Sequence, residues 1–245
     1  MASGRGRFAT TRWSVVLAAS GADSRAVDEA LATLCDTYWF PLYGYLRGRG
    51  HDAANAEDLT QAFFAQLLEK KGFRHADPAR GRFRSFLLTS LKNSAANARD
   101  RQLARKRSPD TPLLPLDAGS AEERYLLEPA TTETPERVFD RRWALALLDR
   151  VMGRLAAETT DAGRQRHFDR LKVYLTGEQP QKSYADTAAT LNMSEAAVKV
   201  AVHRLRRRFG ALVHEEVSHT VASPDEVESE IRHLWSAVAA DAPLV

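Results

Sequence analysis

Wherever apolar residues recur in this chain they recur at helical spacing, and one stretch rich in proline and acid divides the pattern in two. Leu31, Leu34, Tyr38 and Leu42 fit one helical face, as do Leu59, Phe63 and Leu67. Phe83, Leu87 and Leu91 follow, and beyond the divide Phe139, Trp143, Leu147, Val151 and Leu155 are spaced by fours. That period belongs to helices, and no run alternates apolar and polar residues over the length of a strand. The divide itself holds Pro109, Pro112, Pro115, Pro129 and Pro135, with Asp110, Asp117, Glu122, Glu123, Glu128, Glu133 and Glu136 against Arg124. It shows no sustained period and reads as an acidic linker. The expected fold is all-α: two small helical domains joined by an acidic, Pro-rich linker. The expected boundaries are an N-terminal extension over 1–29, a first domain over 30–107, the linker over 108–138, a second domain over 139–213 and a C-terminal helical extension over 214–245. Pro41 implies a kink or helix break near Phe40.

Composition narrows the class. The 245 residues are 44% hydrophobic and 27% charged, with a net charge of +3, ordinary values for a folded globular chain. Cys35 is the single cysteine, so neither an intramolecular disulfide nor a cysteine zinc site can form, and its apolar neighbours suggest a buried thiol. No apolar run is long enough for a membrane span and the start lacks a signal peptide's apolar core, so a cytoplasmic protein without membrane contact is expected.

"SYADTAATLNMSEAAVKVAVHRLRRRF", residues 183–209, carries the sharpest local chemistry. Ser183 with Asp186 forms a capping box, and Asn192 stands where a left-handed residue must end the first helix. Ser194 caps the second helix. Small Ala188 permits close approach, while Leu191, Val198 and Val202 fill the angle and Leu205 and Phe209 extend the stripe. Lys199, His203, Arg204, Arg206, Arg207 and Arg208 occupy the rest of the second helix. A solvated basic helix on a structural pair is the plain alternative. A DNA-reading helix-turn-helix accounts better for so many cations on one helix. It would place Glu195, Ala196, Lys199 and His203 at base edges and the later arginines on phosphates.

In the first half, "AEDLTQAFFAQLLEK" is a strong helix whose Glu57, Asp58 and Gln61 are expected to face outward. Adjacent carboxylates do not converge on one ligand from a helix, and no histidine or third acid is spaced to help. No catalytic residue, metal site or cofactor is expected. "RGRFRSFLLTSLKNSAANARDRQLARKR", residues 80–107, interleaves Phe83 and Phe86 with arginines, a pattern suited to phosphate contact and stacking on exposed bases, or equally to a solvated basic helix.

The order "AEDLTQ" with "FF", then "FRSFLLTSLKN", a linker and the helix pair resembles a bacterial extracytoplasmic-function (ECF) sigma factor of the sigma-70 superfamily. Residues 30–107 resemble region 2 and residues 139–213 resemble region 4. The resemblance implies a sigma factor, not an enzyme, that binds core RNA polymerase and directs promoter recognition, DNA melting and transcription initiation. It implies that Asp58, Gln61 and Phe64 dock onto the polymerase clamp. Phe73, Arg84, Lys92 and Asn93 would serve the downstream promoter element as a melted strand, with the segment from Phe73 to Arg84 capturing a flipped base. Ser194, Glu195, Ala196, Lys199, His203, Arg204, Arg206 and Arg207 would read the upstream element as duplex. Ala62, Asn97 and Ala201 depart from the family's common residues, and the base-capturing loop is longer than usual.

The alternative is a helix-turn-helix transcription regulator that acts without polymerase core, which leaves the first half unexplained. Regulation falls to an anti-sigma factor or to self-inhibition by the C-terminal extension. That extension has a Ser223 cap, Pro224 at the first helical position and an apolar face of Val227, Ile231, Leu234 and Val238. The simpler expectation is that it packs on the region 4-like lobe; the other is a latch between its acids and the basic helix.

Overall fold

The structure is a computed structural model that describes residues 24–68, 81–104, 118–127, 133–161, 163–175 and 183–239. Among these residues every regular element is helical. In chain order they are α1 (Ser24–Gly48), α2 (Ala53–Leu68), α3 (Phe83–Ala104), α4 (Ala118–Leu127), α5 (Pro135–Asp161), α6 (Gln165–Leu171), α7 (Tyr184–Leu191), α8 (Glu195–Ser218) and α9 (Val227–Ala239). Single 3-10 turns, Lys172–Tyr174 and Pro224–Glu226, follow α6 and precede α9. No described helix is long and apolar enough to cross a membrane. Contacts divide the chain into two compact units: Met1–Ala146 with Val217–Val245, and Leu147–Glu216.

In the first unit, four-residue spacing delivers one buried side chain per turn. Tyr38, Leu42 and Leu46 of α1 are buried, as are Phe63, Phe64 and Leu67 of α2 and Phe83, Leu87 and Leu91 of α3. The Tyr38 and Phe83 rings meet edge to face, 5.6 Å between centroids, and the Trp143 indole N–H donates to the Tyr38 hydroxyl at 3.2 Å. The chain turns from α1 to α2 through Gly50 at φ 90°, a conformation that favours glycine. Asp52 then caps α2, its Oδ1 accepting the Asn55 N–H at 2.8 Å.

Pro41 does not break α1, which continues to Gly48. An internal proline costs about 3 kcal/mol, and the buried stripe on either side outweighs it. Cys35 is half-buried, not fully enclosed. The expected linker also contains a helix. Between Pro115 and Pro129 lies a proline-free window, and α4 fills it. It docks on α1 through Glu122, which accepts from Arg47 Nη2 at 2.8 Å and from the Tyr43 hydroxyl. Burial and this carboxylate push the Tyr43 phenol well above its ordinary value.

The C-terminal segment completes this same unit, a correction to its expected place on the second lobe. Thr220 is buried and its carbonyl accepts the Phe83 N–H at 3.0 Å, satisfying one of the open donors at the start of α3. Val217, Val221, Val227 and Leu234 are buried beside it. Glu230 bonds Arg84, and His233 Nε2 lies 3.2 Å from Asp140.

The second unit is built on Leu147, Val151 and Leu155 of α5, Phe168 and Leu171 of α6, and the α7–α8 pair. Tyr174 stacks on Tyr184 at 4.9 Å and its hydroxyl lies 2.8 Å from Thr187 Oγ1. Buried Glu216 accepts from Arg154 Nη1 at 2.6 Å and Arg150 Nε at 3.3 Å.

Candidate nucleic-acid interface

The turn between α7 and α8 follows from local side-chain chemistry. Ser183 Oγ accepts the Asp186 N–H at 3.2 Å, and Asp186 Oδ2 accepts the Ser183 N–H at 3.0 Å, so two open donors close reciprocally. Asn192 ends α7 in the left-handed region at φ 53°, ψ 48°. Its successor Met193 donates to the Ala188 carbonyl at 2.9 Å. Ser194 Oγ then accepts the Ala197 N–H at 3.2 Å and starts α8. Leu171, Tyr174, Ala188, Leu191, Val198 and Val202 form one buried cluster behind the turn.

With Val198 and Val202 inward, the opposite side of α8 is exposed. Glu195, Ala196, Lys199, His203, Arg204 and Arg207 all lie there and are exposed, and Val200, absent from the expected set, joins them. Lys199 pairs with Glu195 at 2.8 Å, and that hydrogen bond holds its ammonium above the ordinary lysine value. Arg206 differs from its neighbours: Nε and Nη2 donate to the Tyr174 carbonyl at 3.2 and 3.0 Å, fastening α8 to the end of α6's 3-10 turn. Arg208 is bound to Glu158, which is thereby held below the ordinary carboxylate range. The phosphate role expected of Arg206 thus falls on a side chain already engaged with its own fold.

The first unit sorts its expected residues differently. Asp58 is exposed on α2, but Gln61 is only 8% exposed and donates to Glu57 Oε1 at 2.9 Å. Phe64 is in the core. The expectation of an outward Gln61 is therefore corrected, because position 61 lies on the edge of the stripe made by Ala56, Thr60, Phe63 and Phe64. On α3, Asn93 is exposed, and Lys92 donates to Glu136 Oε1 at 2.9 Å above the Tyr45 ring. The Glu136 bond holds the Lys92 ammonium above its ordinary value.

Arg84 is corrected too. It is buried, donates from Nε to Glu230 at 2.8 Å, pairs with Asp140 and lies 5.1 Å over the Trp143 ring. Its Nε and Nη1 both meet carboxylates of the protein itself, which fits a structural cation and not an open nucleic-acid contact. Phe73 lies outside the described residues. Among the described residues no group of histidine, cysteine and acid side chains is arranged to hold a metal ion.

No curated protein and no solved structure gives a significant match. Residues 38–105, covering the end of α1, all of α2 and α3, do match the family model for Sigma-70 region 2. This all-helical stretch, with Asp58 and Asn93 on its surface, is thus similar to Sigma-70 region 2, and the match covers the first unit's α2 and α3 and not the helix pair of the second unit.

Proposed function

We propose that this chain is a sigma factor of the ECF group, which binds core RNA polymerase and directs promoter recognition, melting and initiation. The observation that carries the reading is the union, in one chain, of a region 2 match over residues 38–105 with a capped helix pair whose second helix exposes Lys199, His203, Arg204 and Arg207. Region 2 supplies the polymerase contact through exposed Asp58 and holds melted DNA through Asn93 and Lys92. The second unit reads the upstream element as duplex, from Ser194 and Ala196 at the start of α8 to Arg207 further along.

The physics suits a factor that works only within a complex. Few phosphate contacts per unit make binding to free duplex weak and salt-sensitive. Polymerase raises the effective concentration of each unit at its own element. An extruded base is held at a cost of a few kcal/mol, offset by stacking and hydrogen bonds in its pocket. The protein acts by binding, without a catalytic residue or cofactor, in the cytoplasm where polymerase works.

The test is transcription in vitro with purified core polymerase on a library of genomic fragments. Specific transcripts that require the chain support the proposal. Footprinting of unpaired thymines with permanganate then follows Asn93→Ala, which should lose open complex while keeping closed complex. Tight, specific duplex binding at moderate salt without core enzyme, and no transcription with it, would replace this reading with that of an independent helix-turn-helix regulator.

A further inference from the structure

Val200 is the one large apolar side chain on the exposed side of α8, with 49% of its surface in solvent. It is two residues from both Val198 and Val202, and therefore nearly opposite the buried face they form. Neither the second unit's core nor any described hydrogen bond needs a valine there. A β-branched residue is also a poorer helix former than the alanine that would fit equally well. A lone exposed valine elsewhere would carry no message. This one stands one turn after exposed Ala196 and is flanked by Lys199, His203 and Arg204, in the middle of the basic face.

We infer that Val200 is a specificity-determining residue that packs against the C5-methyl group of a thymine in the major groove. The inference rests on the reading of α8 as a helix that enters duplex DNA. The major groove presents one apolar group, the thymine methyl, and small apolar side chains are its natural contact. Ala196, one turn earlier, is small enough to let the base edge approach Val200. Lys199 and His203 on either side supply polar groups for the neighbouring bases. A valine at this place thus distinguishes thymine from cytosine, which lacks the methyl, without a hydrogen bond of its own.

The experiment selects duplexes from a random library with the full-length chain assembled on purified core polymerase, against core polymerase alone, at fixed salt. Each thymine of the selected duplex is then replaced by deoxyuridine, which differs only in lacking the methyl. The wild-type chain should lose about fourfold in affinity at one thymine, the worth of one buried methyl group. Val200→Ala should weaken the thymine duplex by the same factor and bind the thymine and deoxyuridine duplexes equally. Its fold is not at risk, because the site is exposed and alanine favours the helix. Arg207→Ala is the control on the underlying reading and should weaken all duplexes alike. If deoxyuridine is tolerated everywhere, or Val200→Ala keeps the thymine preference, the role of Val200 is overturned while α8 remains a DNA-reading helix. If the chain selects no duplex and Arg207→Ala changes nothing, the reading of α8 fails and this inference with it.

Discussion

Arg84 donates its Nε–H to Glu230 Oε1 at 2.8 Å, joining residues that stand 146 positions apart in the chain. The side chains are 8% and 0% exposed, so each charge has exchanged water for the other. Arg82 Nε stands 2.9 Å from the second Glu230 oxygen, and Asp140 answers Arg84 from α5. A buried pair of this kind contributes little net energy, but leaving one partner alone is costly. Glu230→Ala should therefore destabilise the protein by about 3–5 kcal/mol, while Arg84→Met with Glu230→Leu should recover much of the loss. Chemical denaturation of the two variants checks this; an unshifted Glu230→Ala transition rejects it.

Deletion of residues 221–245 is expected to unfold the first unit, since it removes Glu230 with buried Val221, Val227 and Leu234. A latch predicts the reverse, higher transcription from a protein that stays folded. Protease protection of residues 38–104 in the truncated chain decides between them.

Three helical glycines make opposite predictions. A Cβ at Gly44 would lie 1.7 Å from Arg142 Nη1. That guanidinium is boxed in over the Phe40 and Tyr125 rings at 5.3 and 5.1 Å. Gly153 and Gly210 have nothing within 4 Å of such an atom. Gly153→Ala and Gly210→Ala should each stabilise by about 0.8–1 kcal/mol through helix propensity, whereas Gly44→Ala should lower Tm. Thermal melts of the three variants are sufficient.

The Arg208–Glu158 pair gives a pH dependence with a definite sign. Glu158 is held below its ordinary value of 4.5 by the Arg208 hydrogen bond, so it binds its proton less readily in the folded state. Its contribution is present above that value and disappears as the pH falls through the lowered one. Because both side chains are more than a third exposed, the amount should stay below about 1 kcal/mol. Arg208→Ala should cost that much at neutral pH, and the cost should vanish in acid, once Glu158 is protonated in the folded state, as read from denaturation across the acid range.

Asp58→Ala and Gln61→Ala should part company. Exposed Asp58 can be lost without harm to the fold, so its variant should melt like wild type and bind core polymerase more weakly in competition. Gln61, buried and bonded to Glu57, should lose stability on the order of 1 kcal/mol. If Asp58→Ala competes as well as wild type, α2 docks by another face.

These contrasts mark where the sequence is readable. The capping box at Ser183, the left-handed Asn192 and the Ser194 cap depend on side chains within three residues, and each stands as expected. The stripes of α1, α2 and α3 follow from period alone. Arg84 and Arg206 are different, because nothing near them in the chain announces Glu230 or the Tyr174 carbonyl. A basic residue looks available to a ligand until its partner is known. The helix at 118–127 was concealed by the prolines that bracket it, and Pro41 overstated a break because the burial of its neighbours is tertiary information.

The Thr220 carbonyl over the Phe83 N–H has a consequence for biosynthesis. A ribosome adding about 5–20 residues per second needs on the order of ten seconds to pass from Arg84 to Glu230, 146 residues later. Throughout that interval the nascent first unit carries Phe83 and Arg84 without the segment that covers them. Its folding is therefore completed only after the segment from Val217 onward has been made, and a premature stop anywhere before residue 220 would release a first unit without its cover.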